Sequence, residues 1–194
     1  MAMHHVSSGS FQAWRSPQAI VQALVTEYDC VLDAAADKDN SVCPAFLDGS
    51  EGSDGLLQPW DVPNGGVWCN PPYANVAEWL AKAYLEVIIA ERCQRAVLLL
   101  PASVGVAWFS DICRKAEVQL FDKRLAFDPP PFDQCSVEDQ KKLYDKNGKP
   151  KSSPGSGNCL VVIENGGLVG ITGMRSSVTG RLVQDFLDGQ VYSE

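Results

Sequence analysis

The chain has 194 residues, 45% of them apolar, with a formal net charge of -8 and a pI near 4.7. That is enough to bury one sizeable core and too little for two, and the acidic balance argues against tight, charge-driven binding to a polyanion. Seven cysteines with no close pair speak against a disulfide framework or a zinc ribbon; no stretch approaches the roughly 20 apolar residues of a membrane span, and the start lacks a signal-peptide pattern, so the expectation is a soluble, cytoplasmic protein.

Residues 1–10 read as a polar, flexible leader, and 11–194 as a single domain. The interval 18–28 carries Ile20, Val21, Leu24 and Val25 at helical spacing, with Ser16 as N-cap and Pro17 at the first helical position. Cys30, Val31 and Leu32 form a short buried strand ending at Asp33, and Ala34, Ala35 and Ala36 allow a close approach. From 38 to 66 the composition turns to Gly, Ser, Asp, Asn and Pro and predicts mostly irregular chain, shorter than two strand-helix units need. A strand follows at 67–69, then a helix over 76–90 with Val76, Trp79, Leu80, Ala83, Tyr84, Val87 and Ile88 at helical intervals.

The nearly continuous apolar run at 96–100 is typical of a parallel strand buried on both faces. A helix at 104–113 and a strand at 118–121 come next, and then a long exposed loop at 128–158, rich in Pro, Lys, Ser, Gly and Asp, whose length hints at function. Residues 160–164 and 168–172, separated by Asn165-Gly166-Gly167, predict a C-terminal β-hairpin, followed by a helical tail at 176–188. Strands alternating with helices predict a three-layer α/β fold around a mostly parallel sheet, shortened between the first strand and the one ending at Cys69.

The richest chemistry lies at Asn70-Pro71-Pro72-Tyr73. Two prolines remove two backbone donors and hold the chain extended, which makes a rigid platform with acceptors to spare. The Asn70 side-chain oxygen and the Pro71 carbonyl can both accept from one amino group, beside the flat face of Tyr73; an exocyclic amine on a planar heterocycle fits. The only histidines, His4 and His5, lie in the leader, so a Ser-His-Asp or Cys-His mechanism has no histidine in the fold, and no ligand cluster suggests a metal.

An ordered set of motifs resembles the phage-type DNA N-6-adenine methyltransferases (Dam-like). Its members are Trp14-Arg15-Ser16-Pro17, Leu32-Asp33-Ala34-Ala35-Ala36 with Asn40 and Cys43, Asp54-Gly55-Leu56 with Trp60, and the tetrapeptide. Leu98-Leu99-Leu100-Pro101-Ala102, Trp108-Phe109 and Arg124-Leu125-x-Phe127 continue the set, so the resemblance spans roughly residues 11–163. It implies a Rossmann-like fold, S-adenosylmethionine as methyl donor, and methyl transfer to the N-6 amino group of adenine extruded from duplex DNA. Asn70 stands where the family frequently has aspartate, which keeps an oxygen acceptor.

By the same resemblance Asp33, with Ala34, holds the donor's methionine ammonium, Trp14, Ser16 and Pro17 close over its methionine portion, and Asp54 accepts from its hydroxyls or adenine amino group. Each has an ordinary reading beside it: a turn or capping aspartate for Asp33 and Asp54, a capped helix with one buried aromatic for Trp14, Ser16 and Pro17. Lys123 and Arg124 are candidates for phosphate contact, or else solvated charges, Arg124 pairing with Asp122. Alternatives left open are cytosine, RNA or a protein amide as acceptor, and a catalytically silent nucleic-acid-binding or host-interaction protein with this fold.

Overall fold

The computed structural model describes residues 16–36, 40–129, 131–151 and 157–192. The predicted leader, and Trp14 with Arg15, lie outside the described residues. In chain order the elements are α1 (Gln18–Glu27), β1 (Cys30–Asp33), β2 (Ala45–Phe46), β3 (Val62–Cys69), α2 (Val76–Tyr84), β4 (Cys93–Pro101), α3 (Ala107–Ile112), β5 (Glu117–Phe121), α4 (Val137–Leu143), β6 (Asn158–Glu164), β7 (Gly170–Arg175) and β8 (Leu182–Asp185). The strands form one eight-stranded sheet in the order β2-β1-β3-β4-β6-β5-β7-β8, and only β6 and β8 run against the rest.

The alternation of side chains along the central strands builds two apolar layers, one on each face. Val97 and Leu99 of β4, with Leu160 and Val162 of β6 and Trp68 of β3, pack against Ile20, Val21, Leu24 and Val25 of α1. Ala96, Leu98 and Leu100, with Val161, Ile163, Val67 and Cys69, pack against Val76, Trp79, Leu80 and Ala83 of α2 and Phe109 and Ile112 of α3. Burying each such large aliphatic side chain contributes about 1.5–3 kcal/mol, so β4 and β6, buried on both faces, hold the molecule's centre.

That burial explains where the expected C-terminal hairpin goes. β6 does not pair with β7: it inserts antiparallel between β4 and β5, and β7 lies on the far side of β5. An apolar run with six of its seven residues buried is poorly satisfied near a sheet edge, and the slot beside β4 covers both of its faces. The terminal hairpin is instead β7, which overlaps the strand expected at 168–172, with β8, which lies in the segment expected to be helical. Arg175 at the end of β7 is 1% exposed and fastens that hairpin to α1 through Glu27 at 2.6 and 2.8 Å and the Tyr28 hydroxyl at 2.7 Å.

Three other expectations are corrected. The segment at 38–66 contains the edge strand β2 and the first half of β3, which starts at Val62 rather than 67. The 128–158 segment is not a plain loop: it carries α4, capped by the Ser136 hydroxyl accepting from the Asp139 amide at 3.1 Å, with Leu143 and Tyr144 buried. α1 begins after Pro17, which takes the cap position without a side-chain cap, because the Ser16 hydroxyl is engaged elsewhere.

The helix expected over 76–90 is regular to Tyr84 and then widens into a π-type turn, Leu85–Ile89, which buries Glu86 completely. Its carboxylate accepts from Lys82 Nζ at 2.6 Å, Arg92 at 3.0 and 3.1 Å, and the Trp60 amide at 3.1 Å. Desolvation pushes the Glu86 carboxyl up, but the bonds from Lys82, the Trp60 amide and Arg92 outweigh it and hold it below the ordinary glutamate value. The cluster ties the chain leading into β3 to the helix that follows it.

Glu86→Gln removes the charge that compensates the nearly buried Lys82 ammonium, so it is expected to destabilise the fold by about 3 kcal/mol, or roughly 6–12 °C in Tm. Because the folded carboxyl titrates low, its contribution is complete above the ordinary glutamate range and is lost as pH falls through the depressed folded value. Thermal melts taken at successively lower pH should therefore draw wild type and Glu86→Gln together.

Candidate active site

β1 and β3 are parallel neighbours, with Asp33 opposite Trp68 and the Ala34 amide donating to the Trp68 carbonyl at 2.9 Å. Asp33 therefore ends its strand beside Asn70, which follows the last residue of β3. Both side chains line one cavity of about 240 Å³, together with Ser16 and Gln18 from the start of α1, Ala35, the 40–42 segment and Asp128. In an open α/β sheet this is the expected place for a ligand, beyond the carboxyl ends of the strands.

Asp33 is 4% exposed, and its two oxygens accept from the amides of Ala35 at 3.3 Å and Val42 at 3.2 Å. Those bonds fold the chain after β1 around the carboxylate and fix its direction. Asn70 donates through Nδ2 to the Ser16 hydroxyl at 2.8 Å, which leaves Oδ1 buried with no hydrogen-bond partner among the described residues. A buried amide oxygen without a donor is costly in a folded protein, and it points to a donor supplied by a ligand.

Pro71 is buried; Pro72 and Tyr73 are half-buried, and a short turn, Tyr73–Asn75, leads into α2. The Tyr73 hydroxyl accepts from Asn158 Nδ2 at 3.2 Å, and burial pushes its phenol well above the ordinary tyrosine value, so the ring stays neutral. The thiols nearby stay neutral too. Burial raises Cys69 far above its usual value and lifts Cys159 to about 12, and Cys43 rises to about 12 through burial and the charge of Asp33. None of these three thiols supplies a thiolate nucleophile at neutral pH.

Of the tetrapeptide only Asn70 lines this cavity, Pro71, Pro72 and Tyr73 lying beside it, and the other expected site residues fall away from the wall as well. Ala34 is fully buried beneath it, and Pro17 caps α1 behind Ser16. The Asp54 carboxylate accepts from the Leu56 amide at 2.8 Å, closing its own turn, which is the ordinary alternative for an aspartate before glycine. Lys123 and Arg124 are exposed on the chain after β5, and among the described residues Arg124 makes no ion pair, so the pairing with Asp122 is absent; Asp122 accepts from the Ser177 amide instead. Trp14 lies outside the described residues.

The charged side chains on the wall are Asp33 and Asp128, with no cation among the described lining residues. Such a wall suits a positively charged ligand. Among the described residues no group of three or more His, Cys, Asp or Glu side chains is disposed to hold a metal ion, and no helix is long and apolar enough to cross a membrane.

Residues 5–162 match the family model of the DNA N-6-adenine-methyltransferases (Dam). The chain belongs to that family. It is also 32% identical over 104 residues to a DNA N-6-adenine-methyltransferase of Escherichia phage T1, a match that covers 53% of this chain and 41% of the phage protein. The chain thus spans about two fifths of the length of that relative. The Dam match ends inside β6, so β7, β8 and the Arg175 cluster lie beyond it.

Sequence reasoning missed Gln18, Ser41 and Asp128 as cavity residues and Asn158 as the partner of Tyr73. None of the first three carries a periodic signal: Gln18 reaches the wall from the first position of α1, and Ser41 and Asp128 through the folding of their loops. Asn158 had one: a lone amide at the mouth of the apolar run 159–163.

Gly55 shows how tightly the wall is backed. A Cβ there would stand 1.9 Å from the Ala34 carbonyl oxygen and 2.9 Å from the Trp79 ring, while the Gly55 carbonyl accepts from the Trp60 indole at 2.8 Å. Gly55→Ala is expected to displace the chain after β1 and to destabilise by about 1–3 kcal/mol, measured by urea denaturation.

Proposed function

We propose that this chain is a single-domain methyltransferase of Rossmann-like architecture that transfers a methyl group from S-adenosylmethionine to the exocyclic N-6 nitrogen of adenine in DNA. The observation that carries the reading is the buried Asn70 oxygen without a donor, set at a strand end beside Asp33 in a cavity walled by carboxylates. Membership of the Dam family and the name of the phage T1 relative support adenine as the acceptor.

When bound, S-adenosylmethionine supplies an activated methyl group on a cationic sulfur. Asp33 and Asp128 would give that cation a negative wall, and Asp33, with Ala34 beneath it, is the residue for its ammonium; Ser16 and Pro17, with Trp14, would hold its methionine end. The acceptor amine is a weak nucleophile because its lone pair is delocalised into the purine ring. Asn70 Oδ1 and the Pro71 carbonyl accept from its two protons, which favours a pyramidal nitrogen and stabilises the positive charge that develops there until one of the two protons passes to solvent water. Ser16 keeps the Asn70 amide turned with its oxygen toward the amine.

Pro71 and Pro72 keep the acceptors on a stiff backbone, and Tyr73 offers its face to the extruded base, which offsets part of the few kcal/mol that extrusion costs. Lys123 and Arg124 contact backbone phosphate on the strand-end rim. A local cationic edge of this kind lets a chain of net charge -8 meet DNA without a basic surface overall. The enzyme works in the cytosol of a bacterium or phage-infected cell.

Incubating DNA with the protein and methyl-labelled cofactor, then digesting and separating the nucleosides, is expected to put the label in N6-methyldeoxyadenosine; label in methyldeoxycytidine or in protein would overturn the acceptor, and no label the activity. Asn70→Ala should lower turnover by about 10²–10³-fold with cofactor affinity preserved. Asp33→Ala should instead weaken cofactor binding about 10–100-fold by calorimetry.

A further inference from the structure

Two buried side-chain polar atoms among the described residues have no hydrogen-bond partner, Asn70 Oδ1 and Asn158 Oδ1. The first belongs to the tetrapeptide. The second belongs to the residue that touches the tetrapeptide from the other side of the sheet's central seam: Asn158 opens β6 opposite Pro101 and donates to the Tyr73 hydroxyl at 3.2 Å. It is 2% exposed. Turning its amide over would only exchange the two polar atoms, and one of them would still be left without a partner.

An asparagine is a poor choice for stability at this position. The next five residues of β6 are all buried and apolar, and an apolar side chain would remove an unsatisfied oxygen from the interior. The amide's one bond goes to the hydroxyl of Tyr73, whose half-buried ring is otherwise held by packing against the apolar layer on the α2 side. A phenol held at its hydroxyl cannot swing about χ1, so the bond fixes where the ring stands; rotation about χ2 leaves the hydroxyl in place, and the plane of the ring is set by its packing against that layer.

We propose that Asn158 is a positioning residue for the acceptor base: it holds the Tyr73 ring at the place where the extruded adenine stacks on it, acting through the phenol hydroxyl rather than on the reacting atoms. The inference rests on the reading of the tetrapeptide as the acceptor site. Positioning of this kind acts on kcat, since a stacked base held in the wrong place presents its amine away from Asn70 Oδ1.

The test uses Asn158→Val, Tyr73→Phe and the double variant in the full chain. Asn158→Val is expected to melt at or above the wild-type temperature while kcat falls about tenfold and cofactor affinity by calorimetry stays unchanged. Tyr73→Phe, which deletes only the hydroxyl, should give the same fall, and the double variant should fall no further, because both changes break one hydrogen bond. A structural role alone would lower the melting temperature together with activity, and that result, or losses that multiply in the double variant, would overturn the inference. So would Asn158→Val with wild-type kcat. A wild-type protein that methylates no DNA would overturn the reading of the site and the inference with it, whereas an active wild type with an equally active Asn158→Val overturns the inference alone.

Discussion

The parallel pairing of β1 with β3 is the constraint on which the site depends. Neither strand carries the site alone: one ends in Asp33, the other is followed by Asn70, and the two residues are separated by a segment of mostly irregular chain. Register fixes their relation. With Asp33 opposite Trp68 and the Ala34 amide on the Trp68 carbonyl, both side chains emerge at the same rim and face one cavity. Side chains along a strand alternate between faces, so a slip of a single residue would turn Asp33 to the opposite face from the one that lines the cavity.

That register is held from outside the strands. Asp33 draws in the amides of Ala35 and Val42, Gly55 packs on the Ala34 carbonyl, the Gly55 carbonyl takes the Trp60 indole, and the Trp60 amide reaches Glu86 in the π-type turn after α2. The two Trp60 bonds are buried and those of Asp33 part-buried. Together they connect the end of β1 to the helix that follows the tetrapeptide, so the two halves of the cavity are braced against each other through the same helix. Among the described residues the buried side-chain atoms left without partners, by contrast, are Asn70 Oδ1 in the tetrapeptide and Asn158 Oδ1 on the residue bonded to Tyr73. Stability is gathered beside the site and withheld at it, the distribution expected where a ligand completes the hydrogen bonding.

The element types were legible wherever the apolar period was long. The helical spacing of Val76, Trp79, Leu80 and Ala83 and the unbroken run of 96–100 identify α2 and β4, and the same residues form the core. Misreadings fall where local chemistry had two outcomes. Asn165-Gly166-Gly167 is a good turn sequence and does turn the chain, yet the strands on either side of it separate to let β5 in, because β6 gains more from burial on both faces beside β4 than from a local partner. The 176–188 segment has too little apolar pattern to choose between helix and strand by itself, and the open edge of β7 decides for strand.

What the sequence by itself determined was the chemistry: a stiff Asn70-Pro71-Pro72-Tyr73 platform, an acidic strand end at Asp33, and the ordered motifs of the Dam family. These follow from side-chain and backbone properties of neighbouring residues and need no knowledge of distant ones. Only the tertiary structure decided the order of the strands, the cavity wall contributed by Gln18, Ser41 and Asp128, and the contact of Asn158 with Tyr73 across 85 residues of chain. Such pairings are set by which surfaces can be buried together once the whole sheet exists, a property of packing that leaves no periodic trace in the chain.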